Sequence, residues 1–233
     1  WRSLTRTTPG ATRFTLAGWR AVTSSTTLGA ISTSTLFALC AMVIATVLGL
    51  MVALGVAYGS PRFVWLERIS VLPLTVSAVT IGLGILITYD TAPYDFRSAW
   101  IITPLAHSLI ALPLVVRIVL PVVRQIPRGL QSVASTLGAT PLQTWLTVDR
   151  PLMSRAVGAS AAIAFAISIG EFGATSFLTR RSSETLPVTI SRLLSRPGDA
   201  LRTQAYALCV IIVVISMIAI FLIDMLRPAR KAK

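Results

Sequence analysis

The sequence is short of charge, and above all of acids. Asp, Glu, Lys and Arg make up 12% of its 233 residues, about half the ~25% of an ordinary soluble domain. So little polar surface cannot clothe a water-soluble globule, which puts the chain in the membrane class. His107 is the only histidine, so no His/Cys cluster of the zinc type can be built and no metal site is expected. The two cysteines, Cys40 and Cys209, sit inside apolar runs and read as small core residues, not as a disulfide. No G-x-x-x-x-G-K-[ST] segment occurs, so the chain has no phosphate cradle for ATP. No catalytic set of side chains emerges and no cofactor is called for; the expectation is a protein that is not an enzyme. A signal peptide is missing as well, because Trp1 to Thr27 carries four arginines and no sustained apolar stretch.

What the chain does have is long apolar runs edged with basic residues. Lys and Arg number 21 against 8 acids, a net charge of +13. The basic residues flank the apolar runs, which fits contact with lipid headgroups and not with nucleic acid. Five stretches approach the roughly 20 apolar residues that a helix needs to cross a bilayer: Ser34 to Tyr58, Ile69 to Tyr89, Ile101 to Val123 with Arg117, Ala156 to Leu178 with Glu171, and Thr203 to Ile223. The expected fold is an all-α membrane bundle of about five transmembrane helices. Ser77, Ala78, Gly82 and Gly84 in the second, and Gly158, Ala159, Ala162, Ala166 and Gly170 in the fourth, are small enough for close helix approach. Those two spans read as bundle interior, and the first and fifth as more lipid-facing.

Five spans put the chain ends on opposite sides. The tail, residues 227–233, carries two lysines and two arginines and prefers the cytoplasm. Residues 1–29 then form an extracytoplasmic segment, 30–226 the transmembrane domain, and 227–233 a cytoplasmic tail. An outside N-terminal segment without a signal peptide needs an earlier span to carry it across. With Trp1 as the first residue, the expectation is that the chain is a piece of something longer, lacking at least one helix or a whole preceding half.

Between the third and fourth spans lies a polar interruption, residues 125–155, QIPRGLQSVASTLGATPLQTWLTVDRPLMSR. Leu130, Val133, Ala134 and Leu137 share one face of a short helix over 129–137. Gly138 ends it, Ala139 follows, and Thr140 before Pro141 forms a helix start. A second short helix is expected over 141–148, ended by Pro151. Such a helix–turn–helix held between two spans is something a soluble partner can grip.

This stretch resembles the cytoplasmic loop of type I ABC importer permeases, written E-A-A, three residues, G, nine residues, I, one residue, L-P. Ser132 stands at the glutamate position, Val133 and Ala134 at the alanines, and Gly138 at the glycine. Val148 stands at the isoleucine, Arg150 at the leucine and Pro151 at the proline. The spacing is kept and the glutamate is absent. The segments AHSLIALPLVVRIVLPVVRQIP, IAFAISIGEFGATSFLTR and TLPVTISRLLSRPG look like the second half of fused permeases of the iron(III) and thiamine branch. The resemblance implies a MetI-like bundle in the bacterial cytoplasmic membrane and a coupling loop that docks on an ATP-binding cassette subunit dimer. It also implies an extracytoplasmic solute-binding protein, a second permease half, fused or separate, and a cargo such as iron(III) or thiamine. Sulfate, molybdate and polyamine permeases are the near alternatives; an ion-coupled carrier using Glu171 and His107 is the distant one.

Two roles stay open for Glu171. An acid at membrane depth costs several kcal/mol unless it faces protein or water. It either lines the translocation pathway, with Gly170 and Gly173 loosening the helix, or pairs structurally with a neighbouring helix. Arg117 snorkels to the interface or pairs with an acid. His107 reads as a packed, hydrogen-bonded ring before it reads as a proton relay. Pro73, Pro104 and Pro113 are candidate breaks. Leu186 to Leu194 reads as a short outer helix lying on the bundle. Asp90 and Asp95 read as solvated loop acids.

Overall fold

The computed structural model describes residues 5–8, 11–14, 17–89, 99–179 and 183–225. The basic tail, Asp90 and Asp95 lie outside the described residues. A two-stranded antiparallel hairpin comes first, β1 (Thr5–Thr8) paired with β2 (Ala11–Phe14), Thr5 opposite Phe14. No strand was expected there; the recurring β-branched threonines are the local signal. Helix α1 (Ala17–Val22) leads into α2 (Ser25–Tyr58), 34 residues without a proline or a charge. At 1.5 Å per residue α2 spans about 50 Å, well over the ~30 Å hydrocarbon layer.

The core is a three-helix contact of α2 with α5 (Ile102–Arg124) and α8 (Arg150–Ile169). Along α2, Ala30, Ser34, Ala38, Ala41, Ala45, Gly49 and Ala53 recur every three or four residues and are all buried. That small-residue seam lets the backbones close, as lipid-embedded packing requires. At Gly49 a Cβ would sit 2.5 Å from Val115 Cγ1 of α5, so nothing larger than glycine fits. Val115, Val116, Val119 and Val123 of α5, with Met153 of α8, fill the space between. The opposite face of α2, with Val43, Val47 and Met51, is exposed.

Among the described residues, four helices are long and apolar enough to cross a membrane, or five if one bent pair counts as a single span. The bent pair corrects the second span. In place of a rod over 69–89, helix α3 (Val64–Val71) runs into a 3-10 turn, Leu72–Thr75, and α4 (Ala78–Tyr89) leaves with a 97° bend. Pro73 lies in that turn and Val76 is extended; a proline lacks the donor and the room to continue a helix. The second span is not bundle interior either, because only Gly82 of α4 is buried. Pro113 does not break α5, which runs unbroken past it, and Pro104 falls in its first turn. The most buried span is instead the third: 56% of its most apolar window is buried, against 11% of the fifth, α11 (Asp199–Met225). Helix α11 and the outer face of α2 are exposed, as the lipid-facing expectation requires of them.

The fourth span also stops early. Helix α8 ends at Ile169 with Gly170 as its cap, and a separate turn of helix, α9 (Thr175–Leu178), follows. Helix α10 (Leu186–Leu194) is where the sequence puts it, packed on α11 and α2. Leu186 N–H donates to Ser34 Oγ at 2.6 Å and fixes its start.

Candidate functional site

Two constellations stand at opposite ends of α8. Its 20 residues separate them by about 30 Å.

At the first, helix α6 (Arg128–Thr136) is closed by a Schellman-type end. Gly138 takes φ +83°, a left-handed conformation that glycine adopts without a Cβ penalty. Gly138 N–H donates to Ser135 O and Ala139 N–H to Ala134 O, both at 3.0 Å, which pairs carbonyls the helix end would orphan. Thr140 then opens α7 (Pro141–Thr144) with a full capping box: its Oγ1 accepts from Gln143 N–H at 3.3 Å, and Gln143 Oε1 accepts from Thr140 N–H at 2.8 Å. The Thr140 cap with Pro141 was legible; Gln143, three residues on, carried the rest of the signal.

The second short helix does not end at Pro151. It widens into a π turn, Trp145–Asp149, and continues as α8, with Pro151 in that helix's first turn. A proline has no N–H to give and its ring crowds the carbonyl four residues back; a π turn just before it relieves both demands. The loop is therefore continuous with the span. Gln131 Nε2 donates to Asp149 Oδ1 at 2.9 Å, with Asp149 buried, and this ties α6 to the π turn. Eighteen residues separate the two, and no sequence pattern pointed to the pair. Arg124 at the end of α5 holds Glu67 of α3 through two contacts, 2.6 and 3.3 Å.

The outer surface of this helix pair is apolar. Leu137 is 82% exposed, Leu142 66% and Val133 59%, with Leu130 and Leu146 also exposed. Ser132 is exposed beside Val133, Ala134 and Ala139 are half-buried behind them, Val148 is half-buried in the π turn, and Pro151 is exposed. The structure brings Ser132, Val133, Ala134, Gly138 and Ala139 onto α6 and its turn, with Val148 and Pro151 at the junction to the span.

At the far end Glu171 follows the cap of α8, outside any helix, and is buried. Its Oε1 accepts from Ala174 N–H at 3.0 Å. Its Oε2 accepts from Thr175 N–H at 3.0 Å and Thr175 Oγ1 at 2.7 Å. The carboxylate thus caps α9. His107 of α5 lies against it, Nε2 3.4 Å from Oε2. His107 Nε2 is 2.7 Å from Thr175 Oγ1, and Nδ1 is 2.7 Å from Ser168 Oγ. A carboxylate only accepts, so Thr175 Oγ1–H donates to Oε2, His107 Nε2–H donates to Thr175 Oγ1, and Nδ1 accepts from Ser168. Every ring and carboxylate atom has a partner, which is the packed, hydrogen-bonded histidine expected.

Glycines seat this turn on α4. A Cβ on Gly82 would lie 2.5 Å from Ala174 Cα, and one on Gly173 3.1 Å from Ala78 Cβ. Gly170 lines a cavity of about 570 Å³ with Phe172, Ile190, Leu194 and Ile212. Arg117 is exposed, away from Glu171. Among the described residues, no group of three or more His, Cys, Asp or Glu side chains is placed to hold a metal ion.

The sequence model of one family, described as "Binding-protein-dependent transport system inner membrane component", matches residues 45–232, which takes in both constellations. Among individual relatives, a protein of Salmonella typhimurium named as a permease of a 2-aminoethylphosphonate transport system, PhnV, is 29% identical over 203 residues. That match covers 87% of this chain and 72% of the relative. The molybdenum transport system permease protein ModB of Haemophilus influenzae is 30% identical over 176 residues, 70% of this chain and 76% of ModB. The sulfate transport system permease protein CysT of Escherichia coli is 27% identical over 220 residues, 90% and 79%.

Proposed function

Because this chain belongs to the family of binding-protein-dependent transport system inner membrane components, we propose that it moves a small oxyanion inward by answering an ATPase at its helix pair. It is a permease subunit of an ABC importer, a transport subunit of the bacterial inner membrane. The observation that carries the mechanism is the exposed apolar face of α6 and α7, Val133, Leu137 and Leu142 above all. Leucines this bare on a capped, rigid helix pair outside the bilayer need a protein partner to cover them. An ATP-binding cassette subunit is the partner that the family's work requires.

In this reading the loop, residues 125–155, faces the cytoplasm, residues 1–29 lie outside, and 227–233 form a cytoplasmic tail. Ser132, Val133, Ala134, Gly138, Ala139, Val148 and Pro151 are the docking and transmitting set. An extracytoplasmic solute-binding protein delivers the cargo, and a second permease half, fused or separate, completes the path. ATP-driven closure of the partner dimer biases the bundle between two states. Gly170, Glu171 and Gly173 form the turn beside the path. The full pairing of Glu171 favours a positioning role for it over contact with cargo.

For the cargo, the relatives' names give 2-aminoethylphosphonate, molybdenum and sulfate; with molybdenum as molybdate, its form in oxygenated water, all three are tetrahedral oxyanions. Iron(III) or thiamine, expected from the second-half resemblance, has no counterpart among those names, so the oxyanion reading goes first. The test is association: Leu137→Asp should strip the ATPase subunit from the purified complex while leaving this chain in the membrane. Full retention of the ATPase by that variant would overturn the docking assignment.

A further inference from the structure

At the far end, between the start of α2 and α10, lies a cavity of about 580 Å³ lined by Ser25, Thr26, Thr33, Glu184, Arg192 and Arg196. A second, of about 360 Å³, shares Thr26, Arg192 and Arg196 with it, so the two arginines stand between two hollows. Donors outnumber acceptors there. Glu184 is the one acid, and it is already engaged: Arg192 Nη2 lies 2.7 Å from its Oε2, and Thr189 Oγ1 donates to the same oxygen at 3.4 Å. Arg196 has no ionic or hydrogen-bond partner among the described residues, and neither does the hydroxyl of Ser25 or of Thr33. An unpaired guanidinium offers a planar fork of N–H donors suited to two oxygens of one anion. The hydroxyls add donors on the α2 side. Segment 25–33 of α2 precedes the apolar stretch that begins at Ser34, so the cavity opens outside the hydrocarbon layer, where an arriving ion is still hydrated.

We propose that this cavity is an anion-binding site, with Arg196 as its principal ligand and Arg192 as a second cation held in reserve by Glu184, taking the oxyanion as it enters the permease. The site rests on the oxyanion reading of the cargo. Arg196 fixes the anion, Ser25 and Thr33 complete its hydrogen bonds, and release of Arg192 from Glu184 adds a second charge.

The sample is this chain assembled with its second half and ATPase subunits in nanodiscs of phosphatidylcholine alone. Equilibrium binding of radiolabelled sulfate, molybdate and 2-aminoethylphosphonate is read without binding protein, and uptake with it. One of the three should bind. R196Q should weaken that binding about tenfold, the scale of one charge-assisted hydrogen bond, and E184Q, by freeing Arg192, should tighten it. Equal binding by wild type and both variants would overturn the site, as would transport of an anion that the wild type does not bind unaided. The same holds if R196Q changes only the affinity for the binding protein, or only the phosphatidylglycerol retained on purification; the arginine then serves a protein carboxylate or a lipid headgroup. Uptake of none of the three anions by the wild type would instead sink the cargo reading itself.

Discussion

Replacing Glu171 by alanine takes the acceptor from three donors at once: two backbone N–H groups and the Thr175 hydroxyl. A buried donor left without a partner costs about 1–3 kcal/mol, so Glu171→Ala should lower the unfolding midpoint of the detergent-solubilised protein and reduce uptake. Glu171→Gln keeps one acceptor oxygen and should lose less. Equal midpoints for wild type and Glu171→Ala would refute the capping role. As a lone acid in an apolar stretch, Glu171 is conspicuous in the sequence. Its partners are not, because His107 bonds residues 61 and 68 positions away, and only the fold brings these together. What the sequence did carry was Gly170, the residue that ends α8 and moves Glu171 out of the helix.

Among the elements, the α6–α7 turn and the α2 seam make opposite demands on glycine. At Gly138 a Cβ would meet nothing within 4 Å, so the demand is conformational: φ +83° costs other residues about 1–2 kcal/mol. Gly138→Val should re-angle α6 against α7, leaving ATPase activity in the complex while uptake falls severalfold. Wild-type uptake by that variant would rule out the turn as a coupling element. At Gly49 the demand is steric, because Val115 fills the space. Gly49→Leu should spread α2 from α5 and destabilise by about 1–3 kcal/mol, read as a lower thermal midpoint; an unchanged midpoint would mean the seam is slack. Apolar run length made the membrane spans legible, and Gly138 with Thr140-Pro141 made the turn legible. Run length let residues 69–89 pass as one span, while Pro73, one of three candidate breaks, stands where that span bends. The alanines of the α2 seam, with Ser34 and Gly49, are spaced at three and four residues, yet they lie among so many leucines and valines that hydrophobicity alone does not single them out.

For the molecule as a whole, the consequential feature is continuity. Pro141–Ile169 is one helical body of 29 residues, about 40 Å long, from the exposed Leu142 of α7 to the cap beside Glu171. Gln131 bonds it to α6 at one end. At the other, Ser168 meets His107 of α5, and the Glu171 turn seats α4 through Gly82 and Gly173. In the proposed mechanism a push on the loop reaches α5 along continuous helix and α4 through the turn after Gly170, and stiffness along the π turn becomes a measurable requirement. Thr147 in the middle of that turn and Arg150 just after it have exposed side chains. Replacing both by glycine should soften it, at about 1 kcal/mol each relative to alanine, without touching the exposed leucines proposed for docking. The double glycine variant should keep its ATPase subunit and hydrolyse ATP, yet transport less cargo per ATP than the double alanine variant, which keeps the helix stiff. Equal transport per ATP in the two would mean that movement reaches the far end by a route other than α8.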